Sequence, residues 1–278
     1  MNEHTDNTDI AILMPVYNPG PEIQWTINSL REQTIPFKLF LVDDGSTQKP
    51  DYSMLLDGMP YKLIELEKNQ GIVGALNTGI SAILAEGIKF TARMDNGDWC
   101  YPQRLELQRK YLLDHPAVYL VGSSADILKE DHSPSYAQDV PEEQSSLLKL
   151  LFYNMPLLHP TLMVRTELFQ AIGPYSLSVD AAEEYELCRR TAQKFEVGAI
   201  GAPLVKVVFY SDGISTQKRT RQLLSRLKIQ WNYRNLNNIH FYLGIAKTLM
   251  LMMTPTRLVK WIKSRLYFRK STTQGRLS

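Results

Sequence analysis

Cysteine is nearly absent: Cys100 and Cys188 are the only two in 278 residues, they stand far apart, and neither belongs to a paired-thiol motif. That excludes a disulfide framework and leads us to expect a reducing, cytoplasmic setting. A long apolar run is missing too. The first residues, MNEHTDNTD, lack the basic flank and apolar stretch of a secretory signal, so no export is expected. The segment FYLGIAKTLMLMM (Phe241–Met253) is short and interrupted by Lys247, which argues against a bilayer span. No internal repeat or low-complexity tract is present, so array architectures drop out.

Acid is missing from the C-terminal end. Residues 213–278 hold 14 Lys and Arg and no Asp or Glu, whereas residues 1–212 hold 17 basic against 29 acidic residues. A formal charge of +2 therefore hides halves of −12 and +14. A basic tail on an acidic body suggests an anionic partner, a membrane surface or nucleic acid, with a merely solvated basic helical face as the alternative. No nucleic-acid reader motif is present, and the acidic body repels phosphate, so no nucleic-acid partner is expected. In RLVKWIKSRLYFRK, after Pro255, cations alternate with Trp, Tyr and Phe, which suits peripheral attachment to an anionic membrane.

What is there is a repeating pattern of apolar runs and helical spacings. IAILMPV, FKLFLVDD, YKLIEL and KFTARMD read as strands. Helices are expected over about Pro21–Thr34, Tyr52–Gly58, Gly71–Ala85 and Pro102–His115. This βαβ alternation predicts an α/β fold with a mostly parallel sheet flanked by helices. Further on, AVYLVGSS, VGAI and LVKVVFY read as strands, Lys129–Gln144 as a polar loop, and Ser145–Tyr153 and Ala181–Lys194 as helices. Leu223, Leu224, Leu227 and Trp231 share one face of a helix over Thr216–Arg234, and that face is expected to dock.

Ligands of a parallel α/β sheet bind outside the carboxyl ends of its strands, so polar residues belong there. Four such segments occur in order: PVYN (Pro15, Val16, Tyr17, Asn18), VDDGS (Asp43 onward), NQGIVGALNTG (Asn69, Gly71, Asn77) and MDNGD (Asp95 to Asp98). Any one of them reads equally well as a turn with a helix cap. Four at successive strand ends are much harder to assign to chance.

The ordered series IAILMPVYN, LVDDGST, NQGIVGALNTGI, ARMDNGDWCYPQRLELQ and AAEEYEL resembles the family 2 glycosyltransferases of the GT-A fold, of the bacterial surface-polysaccharide type. The resemblance covers roughly residues 9–215. It implies a catalytic domain over 1–215, with a nucleotide-binding half at about 9–125 and an acceptor half at 126–215. A helical, basic, membrane-associating extension over 216–278 follows. Pro15, Val16, Tyr17, Asn18, Asp43, Asn69, Gly71, Asn77 and Asp95 would hold the nucleotide of a nucleotide-sugar, UDP-linked by preference, with GDP or dTDP as alternatives. A carboxylate at Asp43 accepts from a base-edge N–H.

By the same resemblance, Asp95 and Asp98 would hold a divalent cation, manganese or magnesium, against the donor diphosphate. Gly97 and Tyr210 stand where the family usually places ligands, which leaves Arg93, Arg104 or backbone N–H groups as other ways to meet the leaving group's charge. Glu183 and Glu184 match the family's acidic pair, Glu184 as the base that deprotonates the acceptor, with inversion at the anomeric carbon. His159 would line the acceptor side. The expected function is sugar transfer to a glycan, with a lipid-linked acceptor implied by the tail, in O-antigen, capsule or exopolysaccharide assembly at the inner face of the cytoplasmic membrane. A nucleotide-sugar-binding module without catalysis, or a sugar nucleotidyltransferase, stays open; the latter would want a glycine-rich loop that PVYNPGPE does not supply.

Overall fold

A computed structural model describes residues 8–179, 181–209 and 219–254. The N-terminal part alternates β1 (Ile10–Val16), α1 (Glu22–Arg31), β2 (Lys38–Asp43), α2 (Tyr52–Leu55), β3 (Tyr61–Glu65), α3 (Gly71–Ala85) and β4 (Phe90–Arg93). The rest comprises β5 (Trp99–Cys100), α4 (Arg104–Asp114), β6 (Val118–Leu128), β7 (Pro134–Gln138), α5 (Gln144–Leu150), a 3-10 turn (His159–Thr161), β8 (Met163–Arg165) and α6 (Leu168–Ile172). The last elements are α7 (Glu183–Thr191), β9 (Glu196–Val208), α8 (Arg219–Asn232) and α9 (Ile239–Met253).

Alternation along the strands builds two cores, one on each face of the sheet. Ile10, Ile12, Met14 and Val16 of β1 join Ile23, Ile27 and Leu30 of α1 on one face. Ala11 and Leu13 point to the other, where Ala75, Leu76, Ile80 and Ile83 of α3 cover them. Each fully buried Leu or Ile contributes about 1.5–3 kcal/mol relative to exposure. At Gly79, a Cβ would lie 2.2 Å from Leu13 Cδ1, so α3 lies on β1 at a distance that only glycine allows.

The sheet runs β3-β2-β1-β4-β8-β6-β9-β5, with β7 paired to β6. Its first four strands are parallel, while β8 is antiparallel to both β4 and β6. The parallel block brings the segments after β1, β2 and β4 to one edge, as the sequence pattern requires.

Three expectations need correction. The stretch read as a polar loop contains β7, antiparallel to β6; its Pro134 opens an edge strand, where a missing N–H costs little. VGAI and LVKVVFY form one strand, β9, because Ile200 pairs with Ser123 and Pro203 with Ser124, so Gly201 and Ala202 bulge out without ending the ladder. On α8, Leu223 is buried, but Leu224 and Trp231 are exposed and Ile229 and Gln230 are buried instead. The docking face is thus rotated from the one that the apolar spacing suggests.

Helix α8 lies along α7. Tyr233 Oη donates to Glu186 Oε1 (2.6 Å), Arg189 Nη2 to Tyr233 O (2.5 Å), and Gln230 Nε2 to Phe152 O (2.8 Å). No helix among the described residues is long and apolar enough to cross a membrane.

Candidate active site

At the carboxyl edge, Pro15 and Val16 are buried strand residues, so of PVYN only Tyr17 and Asn18 reach outward. Asn18 adopts φ +44°, a conformation that asparagine tolerates better than most residues. Its Oδ1 accepts from Thr47 N (2.9 Å) and Gln48 N (3.1 Å), while its own N–H donates to Ser46 Oγ (2.8 Å). The loops after β1 and β2 are thereby stitched together.

Asp43 is buried at the end of β2. Its Oδ1 accepts from Ser46 N (2.7 Å) and its Oδ2 from Tyr52 Oη (2.8 Å). That phenol is held protonated by burial and by the Asp43 charge. Asp44 accepts from Gln70 N (2.7 Å), anchoring the loop before α3. In that loop Asn69 Oδ1 accepts from Gly71 N (3.0 Å). Gly71 has φ +77° and open space where a Cβ would stand, so backbone conformation, not close approach, calls for glycine there.

Asn77 does not face the nucleotide edge with its amide free. Its Nδ2 donates to Tyr175 O (2.9 Å) and its Oδ1 accepts from Tyr175 N (3.0 Å). The amide clamps both backbone polar groups of one residue, and the Tyr175 hydroxyl in turn meets His159 Nε2 at 2.9 Å. Sequence reasoning missed Tyr175 because no local motif marks it.

In the MDNGD turn, Asp95 pairs with Arg93 and keeps 35% of its side chain exposed. Asp98 is only 5% exposed and accepts from Val208 N (3.1 Å) on β9. Burial, followed by the Asp95 charge, pushes the Asp98 carboxyl well above the usual carboxylate range. Gly97 has φ +91°, and its N–H donates to Thr26 Oγ1 (3.0 Å), which itself donates to Asp98 O (2.8 Å). Asn96 Nδ2 donates to Glu22 Oε1 (2.7 Å), while Asn96 Oδ1 is buried without a partner. Arg104 is fully buried and donates to Arg93 O (2.7 Å), so it supports the strand end from behind. Arg93 is also buried, bonded to Leu13 O and Met94 O as well as to Asp95.

The acidic pair opens α7. Immediately before it, Ala181 and Ala182 take φ +69° and +97°, backbone conformations that are strained for alanine. Glu183 Oε2 accepts from Ala182 N (3.1 Å). Burial, followed by the Glu183 charge and, more weakly, Asp95, pushes the Glu184 carboxyl up to about 8, with Arg226 of α8 opposing the shift. His159 Nδ1 lies 3.8 Å from Glu183 Oε1. Burial, followed by the Arg93 charge, pulls the imidazole down to about 4, so it is neutral at pH 7. His159, Glu183 and Glu184 each offer a ligand atom within 4.8 Å of the others. Arg190 ties this helix to the Tyr175 loop, bonding Glu186 on α7 and the carbonyls of Gly173 (3.1 Å) and Pro174 (2.7 Å).

The structure thus brings Asp95, His159, Tyr175, Glu183 and Glu184 into one electrostatic neighbourhood. Asp43 lies on the same sheet edge with β1 between β2 and β4, roughly 10 Å away by strand spacing. Tyr210 lies outside the described residues. A cavity of about 390 Å³ lined by Phe152, Arg189 and Tyr233 lies behind α7. The neighbourhood of the acids is where the perturbed groups converge, and convergence locates chemistry better than volume does.

Comparison with known proteins gives these features a context. Over 257 residues the chain is 26% identical to the amylovoran biosynthesis glycosyltransferase AmsE of Erwinia amylovora, covering 90% of this chain and 95% of that protein. Its fold is similar to S. aureus TarS 1–349 in complex with UDP-GlcNAc, with TM-score 0.64 and 17% identity, covering 86% of this chain and 71% of that one. It is likewise similar to the mannosyltransferase PcManGT of Pyrobaculum calidifontis in complex with GDP-Man and Mn2+, with TM-score 0.61, 17% identity and coverage of 97% and 76%. These neighbours show the GT-A fold. The model of glycosyl transferase family 2 matches residues 11–173, more than half of the sequence, and the chain belongs to that family.

Proposed function

We propose that this protein is an inverting glycosyltransferase that moves a sugar from a nucleotide-sugar to a saccharide hydroxyl. The observation that carries the reading is Glu184: a half-buried carboxyl with its proton affinity raised to about 8, crowded by Glu183 and within the field of Asp95. A carboxylate with raised pKa is a stronger base, and at pH 7 roughly a tenth of it is ionised. The acceptor oxygen attacks the anomeric carbon as its proton passes to Glu184. The bond from that carbon to the diphosphate oxygen breaks on the opposite side, so the nucleoside diphosphate leaves and the configuration inverts.

Donor binding falls to the carboxyl edge. Asp43 and Asn18 fix the base-side loops, and Tyr17, next to Asn18 in the chain, is exposed. The complexes of neighbouring folds with UDP-GlcNAc and GDP-Man support a nucleotide-sugar donor, UDP-linked in the first instance.

The residues of the MDNGD turn fit a hard divalent cation, manganese or magnesium, in part. Asp95 offers an accessible carboxylate and Asn96 an unpartnered buried Oδ1, whereas Asp98 is buried and already accepts from Val208 N through Oδ1. When bound, such an ion neutralises charge developing on the leaving diphosphate. The acceptor is taken to be lipid-linked, in surface-polysaccharide assembly at the inner face of the cytoplasmic membrane. Support comes from the role named for AmsE and from the acid-free basic end of the chain.

The test is thermal unfolding with UDP-, GDP- and dTDP-sugars, with and without manganese, followed by a transfer assay. A donor at a hundredfold its Kd raises the Tm by about 5 °C. If no sugar nucleotide moves the Tm and none is consumed, the reading fails.

A further inference from the structure

The cationic segment after Thr254 suggests attachment to an anionic surface, but it lies outside the described residues. The helix just before it carries independent information. Helix α9 is firmly seated through one face: Phe241, Gly244 and Thr248 are buried. A Cβ on Gly244 would stand 2.0 Å from Phe152 O, and Thr248 Oγ1 donates to Gln230 Oε1 (3.0 Å). A helix packed this way normally presents polar residues outward. This one does not.

Its outer face carries Ile239, Tyr242, Leu243, Leu249, Met250 and Met253, all exposed, Met250 at 60% and Met253 at 87%. Their spacing follows the helical repeat over the whole length of α9, so they form one continuous apolar stripe on the side away from Phe241 and Thr248. Lys247 stands at the edge of this stripe, its ammonium 5.7 Å from the Tyr153 ring. A stripe of this kind on a seated helix marks an interaction surface.

We propose that the outer face of α9 is a membrane-docking surface, inserted at shallow depth into the headgroup region of an anionic bilayer. The proposal rests on the membrane-side reading above and assigns it a surface. Charge complementarity selects the occupant, because residues 213–278 carry 14 cations and no acid, which favours a surface that is both apolar beneath and negative on top. Nucleic acid supplies the negative charge and nothing to cover Leu249 or Met250. At 15 residues the helix is about 22 Å long, too short to cross a hydrocarbon core of about 30 Å, and it lies flat on its packed face.

The test is co-sedimentation of the full chain with vesicles of phosphatidylglycerol and phosphatidylcholine, against phosphatidylcholine alone. The parent binds the anionic vesicles, less tightly as salt rises. Leu243→Glu with Met250→Glu weakens binding about tenfold or more, from lost apolar burial, while Leu113→Glu on α4 leaves it unchanged. Circular dichroism verifies folding, and Leu243→Gln with Met250→Gln decides the matter if the glutamates unfold the chain, since it too must weaken binding. Unchanged binding by a folded stripe variant overturns the proposal. So does preference for duplex DNA over vesicles, or a parent dimer that the glutamate pair splits, which would mean that a second copy covers the stripe. Transfer to a water-soluble acceptor is measured alongside. Vesicle binding without transfer removes the enzymatic reading and leaves this one, and transfer without vesicle binding does the reverse.

Discussion

Two pairs of adjacent acids, Asp43-Asp44 and Glu183-Glu184, look alike as sequence and differ in what surrounds them. Asp43 and Asp44 are buried, and their oxygens accept from Ser46 N, Tyr52 Oη and Gln70 N. Their charge is used in holding loops. Glu183 takes one N–H from Ala182, and Glu184 lies beside it with a carboxyl driven up to about 8 by burial and like charge. Hydrogen bonds to an ionised carboxylate favour its charged form, whereas desolvation and neighbouring negative charge disfavour it. Under the proposed function, one pair would brace the donor-side loops and the other would take the proton.

The strongest way to break this comparison is Glu184→Gln. It should lower kcat by about 10²–10⁴-fold, the usual worth of a general base, with donor affinity nearly intact by calorimetry. In the parent, kcat/KM should rise with pH through about 8, following ionisation of Glu184. A variant that loses donor binding and keeps turnover would reverse the roles assigned to the two pairs.

Asp43→Asn comes next. An amide cannot accept from both Ser46 N and Tyr52 Oη as the carboxylate does, so urea unfolding should show a loss of about 1–3 kcal/mol. Donor affinity should fall with it. A variant with parental stability would mean that the Asp43 bonds are dispensable.

The smallest effect is a slope. Glu184 binds a proton more tightly folded than unfolded, so stability falls as pH rises from its ordinary value of 4.5 to about 8. His159, lowered from 6.5 to about 4, contributes the opposite sign over that lower window, since the unfolded state then holds the extra proton. The two oppose each other below pH 6.5. Above it, unfolding free energy should fall by at most about 1.4 kcal/mol per pH unit up to pH 8, and Glu184→Gln should flatten that fall.

Much of the donor-side scaffold was legible. The runs IAILMPV, FKLFLVDD, YKLIEL and KFTARMD became β1 to β4, because uninterrupted apolar strands are what a sheet buried on both faces needs. Strand β7 was not legible, since Pro134 and polar neighbours disguise an edge strand. Nor was the continuity of β9, whose Gly201-Ala202 bulge reads as a break. In the candidate site, Asp95, Glu183, Glu184 and His159 were singled out through the family resemblance, and the structure brings them into one neighbourhood. The role of Asn77 was not, because the partner of its amide, Tyr175, is 98 residues away in the chain.

The succession of strands and helices along the N-terminal part, the polar residues at the strand ends and the charge imbalance between the two ends of the chain were all determined by local sequence, since period, turn chemistry and composition act over a few residues. Tertiary structure alone decided that Asp98 faces Val208 while Asp95 stays accessible, that Tyr175 reaches His159, and that α9 keeps an apolar face outward. Proton affinity and exposure depend on what distant segments place around a side chain, and no short stretch of sequence contains that information.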